Sequence, residues 1–173
     1  MNEKTPRDIA VDDQLRAAGA EGARWLTASG WGPPVRVPLQ HAAKWQQETR
    51  ARMLAAQQDE SCTWCDHLLY GGPQPVVVHA EHPTHLICRA CSVAARPRRI
   101  CLDCGEPASS ESPADGREDV FMGAVAIYTR LRCVACHRSD PLDGTFGGVC
   151  AAGLGERLLL LRRALAVKFR CCR

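Results

Sequence analysis

A chain of 173 residues and 18.9 kDa has room for one or two domains and excludes a large multidomain enzyme. Its formal charge of +3 is too small to give an argument for nucleic acid. Aromatic residues at 5% leave few bulky side chains for a core, so the eleven cysteines are the feature to explain.

Met1 to Asp13 carries Glu3, Lys4, Arg7, Asp8, Asp12 and Asp13, with no apolar stretch that would act as a secretory signal. The longest apolar runs, Ala124 to Tyr128 and Leu158 to Leu161, fall far short of a membrane span. Both points predict a cytoplasmic protein with no transmembrane segment, in a compartment that keeps thiols reduced. Thr5, Pro6 and Asp8 read as a helix start: a capping hydroxyl, a proline at the first helical position and a carboxylate in the first turn. The helix is expected to stop at Gly19, with a second one from Ala20 to Ala28. Gly32, Pro33, Pro34 and Pro38 then impose an extended connection. From Leu39 to Gln58 nothing breaks a helix, and Ala42, Trp45, Thr49, Met53 and Ala56 give it a thin apolar face. Residues 1–58 form a helical module on this reading, and a helix-turn-helix is weighed against it but lacks a recognition helix.

Eight cysteines then fall into four Cys-x-x-Cys pairs: Cys62 and Cys65, Cys88 and Cys91, Cys101 and Cys104, Cys133 and Cys136. A two-residue gap lets both sulfurs face one ion while the intervening amides turn toward them. Two such pairs complete the tetrahedral shell that zinc prefers. Sequential pairing, Cys62, Cys65, Cys88 and Cys91 for one Zn2+ and Cys101, Cys104, Cys133 and Cys136 for a second, costs less loop entropy than a cross-braced arrangement. His67 to Tyr70 and Pro75 to Ala80 read as two strands turning at Gly71, Gly72, Pro73 and Gln74. Knuckle, hairpin, second knuckle is an order of elements that resembles the zinc-ribbon fold group, over residues 61–137 only. That resemblance implies the first ligand set and a role in nucleic-acid binding, protein docking or structural stapling, without choosing among them. RING-like and LIM-like spacings depart from this pattern. The former expects a histidine in the central knuckles, and the latter fails at the ten-residue step from Cys91 to Cys101.

The stretch between the two units holds Arg96, Arg98 and Arg99, a basic patch that either meets phosphate or offsets thiolate charge. In the second unit Gly105 suits a knuckle turn, residues 105–119 are too polar to pack and read as a mobile loop, and Val120 to Arg132 has strand propensity with a bulge or turn at Gly123. Residues 138–173 follow as a glycine-rich linker and an amphipathic helix from Leu154 to Phe169, basic on its outer face. Self-packing is its default, with membrane-surface contact the alternative. Cys150, Cys171 and Cys172 remain outside the pairs.

The expected fold is therefore small α+β and metal-stapled: N-terminal helices (1–58), two tandem four-cysteine zinc-ribbon-like β modules (59–95 and 96–137), and a glycine-rich linker with a C-terminal amphipathic helix (138–173 together). Catalysis is a lesser reading. His79, His82, His85, Cys88 and Cys91 recur every third residue and can all ligate a transition metal, which permits a mixed His/Cys enzyme site. His79-Ala80-Glu81 matches only half of a nucleobase-deaminase signature, and no nucleophile elbow or dinucleotide fingerprint is present. Iron fits a tetrathiolate chemically, with zinc favoured. The function expected is non-enzymatic nucleic-acid binding, DNA or RNA, through Arg96, Arg98, Arg99, Arg130 and Arg132 with Trp64 or Tyr70 for stacking. A protein-docking adaptor is the alternative.

Overall fold

The computed structural model describes residues 5–30, 35–36, 39–95, 99–108, 117–139 and 148–149. The expected helix from Leu154 to Phe169, the thiols of Cys150, Cys171 and Cys172, and Arg96 and Arg98 lie outside them.

The first helix, α1 (Pro6–Ala28), starts where its capping chemistry predicts: the Asp8 amide donates to Thr5 Oγ1 and the Thr5 amide donates to Asp8 Oδ2 at 3.1 Å. It does not stop at Gly19. A Cβ on Gly19 would lie 2.7 Å from the Ala124 carbonyl oxygen, and one on Gly22 would lie 2.9 Å from the Met122 methyl. These glycines let the helix backbone approach the sheet, and the two expected helices are one. The second helix, α2 (Lys44–Gln58), is preceded by a single 3-10 turn at Leu39–His41. The Ala43 amide donates to Gln46 Oε1 at 2.9 Å, which supplies the cap and starts the helix five residues later than propensity suggests. Its buried side carries Trp45, Thr49, Met53 and Ala56, as the apolar face predicts.

Among the described residues the strands are β1 (Val35–Arg36), β2 (Thr63–Trp64), β3 (Val76–His79), β4 (His85–Ile87), β5 (Arg117–Met122), β6 (Ala126–Arg132) and β7 (Gly148–Val149). They form one mixed sheet in the order β1-β7-β5-β6-β3-β4-β2. The strands of the two cysteine units are therefore not two tandem ribbons: β3 pairs in parallel with β6, Val76 to Ala126 through His79 to Thr129. His67 to Tyr70 is not a strand. Cys65 is the extended cap residue of a short helix, α3 (Asp66–Tyr70), with Asp66 in its first turn, and the hairpin forms instead between β3 and β4.

Helices α4 (Arg89–Ala95) and α5 (Val134–Ser139) each follow a strand directly, after Cys88 and after Cys133. Residues expected in a mobile 105–119 loop divide three ways. Pro107 bridges to Ile100, Arg117 to Asp119 already belong to β5, and 109–116 lie outside the described residues. Gly123 marks the β5–β6 turn, its amide donating to the Ala126 carbonyl at 2.7 Å.

Period-2 alternation splits the sheet between two faces. Val76, Val78, Leu86, Phe121 and Tyr128 pack with Trp45 and Met53 of α2, whereas Val77, Ile87, Val120, Met122 and Ile127 pack with Trp25 and Leu26 of α1. With both faces covered, aliphatic and β-branched side chains supply the core that the scarcity of aromatics argued against. Helices and sheet share these clusters across residues 58 and 95.

Candidate metal centres

The second cysteine group is built by three local devices. Gly105 takes a left-handed turn, φ +78°, and its amide donates to the Cys101 carbonyl at 2.8 Å, which closes the Cys101 to Cys104 knuckle. The Leu102 amide donates to the Leu131 carbonyl at 3.0 Å and pins that knuckle beside the end of β6. There Cys133 leaves the strand and Cys136 sits in α5. The four sulfurs lie within 4.8 Å of one another. A tetrahedral ion with metal–sulfur bonds of about 2.3 Å sets neighbouring sulfurs about 3.8 Å apart. Cys104 Sγ and Cys133 Sγ stand at 3.8 Å, whereas a disulfide needs about 2.05 Å. All eight paired cysteines are free thiols.

Electrostatics in this group favour one early thiolate. Burial pushes the Cys101 thiol up, but amides of Cys133, Cys104 and Asp103 donate to it and outweigh burial, bringing it down to about 7. Cys136 is pushed up to about 12, first by its hydrogen bond with Cys133 and then by that with Cys104. Four thiols this close cannot ionise together without a cation among them.

The first group contains Cys65, His67, Cys88 and Cys91, again within 4.8 Å. Spacing alone places Cys62 in this set; the geometry brings in His67 and leaves Cys62 with its thiol 3.8 Å from the Met53 carbonyl, against α2. The reason is α3. By turning helical straight after Cys65, the chain swings His67 back over the knuckle, and His67 Nδ1 comes within 3.3 Å of Cys91 Sγ. The signal in the sequence is the Cys65-Asp66-His67 step, a ligating side chain two residues past a knuckle cysteine. The Cys88 amide donates to Cys65 Sγ at 3.1 Å and the Cys91 amide to Cys88 Sγ at 3.4 Å, the outer-layer donors that orient thiolate ligands. Burial raises Cys88, but the amide of Cys91 and neighbouring thiols pull it below its usual value. Cys91 is pushed up to about 12 by burial, its bond to Cys88 and the charges of Cys65 and Cys88.

Both donor sets fit zinc: three sulfurs with an imidazole, and four sulfurs, are closed tetrahedral shells. The grouping is sequential. It also separates the centres, because β4 runs antiparallel to β3 and β3 parallel to β6. Cys88 stands level with Val76 and Ala126, seven residues short of Cys133 along β6, or about 23 Å at ~3.3 Å per residue.

Three of the arginines expected to meet phosphate are buried. Arg99 is buried and paired with Glu81 and Glu118, its Nη2 3.2 Å from Glu81 Oε2. Arg130 Nη2 meets Asp119 Oδ2 at 2.7 Å with its guanidinium 5.0 Å over the Trp45 ring, and Arg132 Nε reaches the same oxygen at 3.0 Å. All three are 5% exposed or less, so none presents a guanidinium to a nucleic acid. Glu81, Glu118 and Asp119 were not legible as their partners, because the pairs join different stretches of chain. Trp64 is half-buried in β2 against the α2-side cluster, and Tyr70 is 67% exposed. No described helix is long and apolar enough to cross a membrane. No protein-family model, curated protein or solved structure matches the chain.

Proposed function

We propose that the chain is a two-centre zinc protein whose ions tie knuckles to opposite ends of one mixed sheet, and that it acts by binding rather than by catalysis. The observation that carries this reading is the convergence of two four-donor sets, Cys65, His67, Cys88 and Cys91 and then Cys101, Cys104, Cys133 and Cys136. Zinc is the ion because it accepts a mixed imidazole and thiolate shell as readily as a tetrathiolate one. Closed shells leave no coordination position for a substrate. Metal analysis should find two zinc ions per chain. Cobalt substitution should give one spectrum of a mixed thiolate and imidazole shell and one of a tetrathiolate shell. His67→Ala should alter the mixed-shell spectrum and Cys62→Ser leave both unchanged; the opposite pair of results restores Cys62 as the fourth ligand.

Nucleic acid remains the first partner class, and it rests on a smaller set of residues. Arg96 and Arg98 follow α4 directly, and α4 begins with exposed Arg89, whose guanidinium lies 5.3 Å over the Trp25 ring. Three phosphate contacts predict a log–log salt slope of about −2 to −3. Alanine at Arg89, Arg96 and Arg98 together should flatten that slope. Affinity for single- and double-stranded probes that ignores both salt and the triple variant would leave protein docking as the role, with a partner that survives nuclease treatment.

A further inference from the structure

His79, His82 and His85 stand outside both cysteine groups. His79 ends β3 and His85 begins β4, and the register that pairs Val77 with Ile87 and Val78 with Leu86 sets them opposite each other. Residues directly opposed across antiparallel strands share a face, with Cβ atoms about 5 Å apart. His82 is placed between them by the turn: its amide donates to the His79 carbonyl at 2.9 Å and its carbonyl accepts from the His85 amide at 3.0 Å. All three border one cavity of about 280 Å3, together with Cys65, Cys91, Ile87, Ala95 and Arg99, whose charge is already matched by Glu81 and Glu118.

The chemistry around this cavity is selective. His79 is buried, and its Nε2 lies 2.9 Å from Ser92 Oγ on α4, the kind of hydrogen bond that fixes the ring of a ligating histidine. His82 and His85 are exposed, so their rings turn toward an ion at small cost. Glu81, the acidic residue of the same turn, is held away by Arg99. Cys65 and Cys91 belong to the first group, so the donors left to this cavity are imidazoles, which favours zinc, nickel or copper over magnesium and calcium. At about 30 Å3 per water, the cavity holds several waters beside an ion.

We propose that His79, His82 and His85 form a third metal site, for a divalent transition ion with exchangeable water ligands, beside the first cysteine group and separate from it. Among the described residues only the cysteine groups are already converged, so the ion draws the His82 and His85 rings inward on binding. The test is equilibrium dialysis of the tag-free full chain against Ni2+, with zinc and nickel measured on the same samples. The expected result is one nickel bound while zinc content is unchanged, an affinity at least about tenfold weaker in the His82→Gln/His85→Gln double variant, and no change in His41→Gln. Nickel that fails to bind, binds the double variant equally well, or displaces zinc one for one overturns the site. Failure of the two-zinc reading shows separately, as a zinc content below two before nickel is added.

Discussion

Arg99 holds two carboxylates at once, Glu81 from the β3–β4 turn and Glu118 from β5, with all three side chains at most 8% exposed. A buried ion pair contributes little net stability over an apolar replacement, but removing one partner strands the other charges away from water. Arg99→Ala leaves two carboxylates facing each other and should cost about 3–5 kcal/mol in denaturant unfolding. A loss below about 1 kcal/mol would return Arg99 to the surface role its sequence neighbours suggest. At this scale the sequence shows residue types without their environment. Arg96, Arg98 and Arg99 look equivalent in a row, yet Arg99 neighbours the Ile100 bridge and faces inward. His67 is hidden for a related reason, since complete cysteine pairs already satisfy the spacing rule.

Among the elements, α1 separates two meanings of glycine. If Gly19 were an ordinary helical residue facing open space, its replacement by alanine would gain up to about 1 kcal/mol of helix propensity. Because a Cβ there would meet the Ala124 carbonyl oxygen at 2.7 Å, Gly19→Ala must push α1 from the β5–β6 turn, for a net loss of about 1–3 kcal/mol. The sign of the shift in thermal midpoint decides between them. Capping is legible at Thr5 because every participating atom lies within three residues. The helix over His67 to Tyr70 is not, because four residues carry too little periodicity to reveal a helix that follows an extended Cys65 and opens with Asp66.

For the whole molecule, the two-faced sheet changes what ions bound at the two donor groups would have to do. Ions that replaced a missing core would make the chain unfold on chelation, whereas a sheet packed on both faces should persist while its knuckles loosen. Chelation should lower the thermal midpoint by about 10 °C or more and leave strand circular dichroism at about 25 °C. Loss of any cooperative transition would show that the ions carry the fold. Binding must also expel the protons held by Cys91 and Cys136, both pushed up to about 12, so zinc affinity should rise with pH and the ions should leave as acid is added. The cysteine spacing by itself determined that thiols would gather in two groups, since a knuckle is local geometry repeated. Only the tertiary structure decided that β3 joins β6, that the gathered sets sit at opposite ends of one sheet, and that three of the arginines turn inward. Those outcomes depend on pairings between distant segments, which no short window of residues encodes.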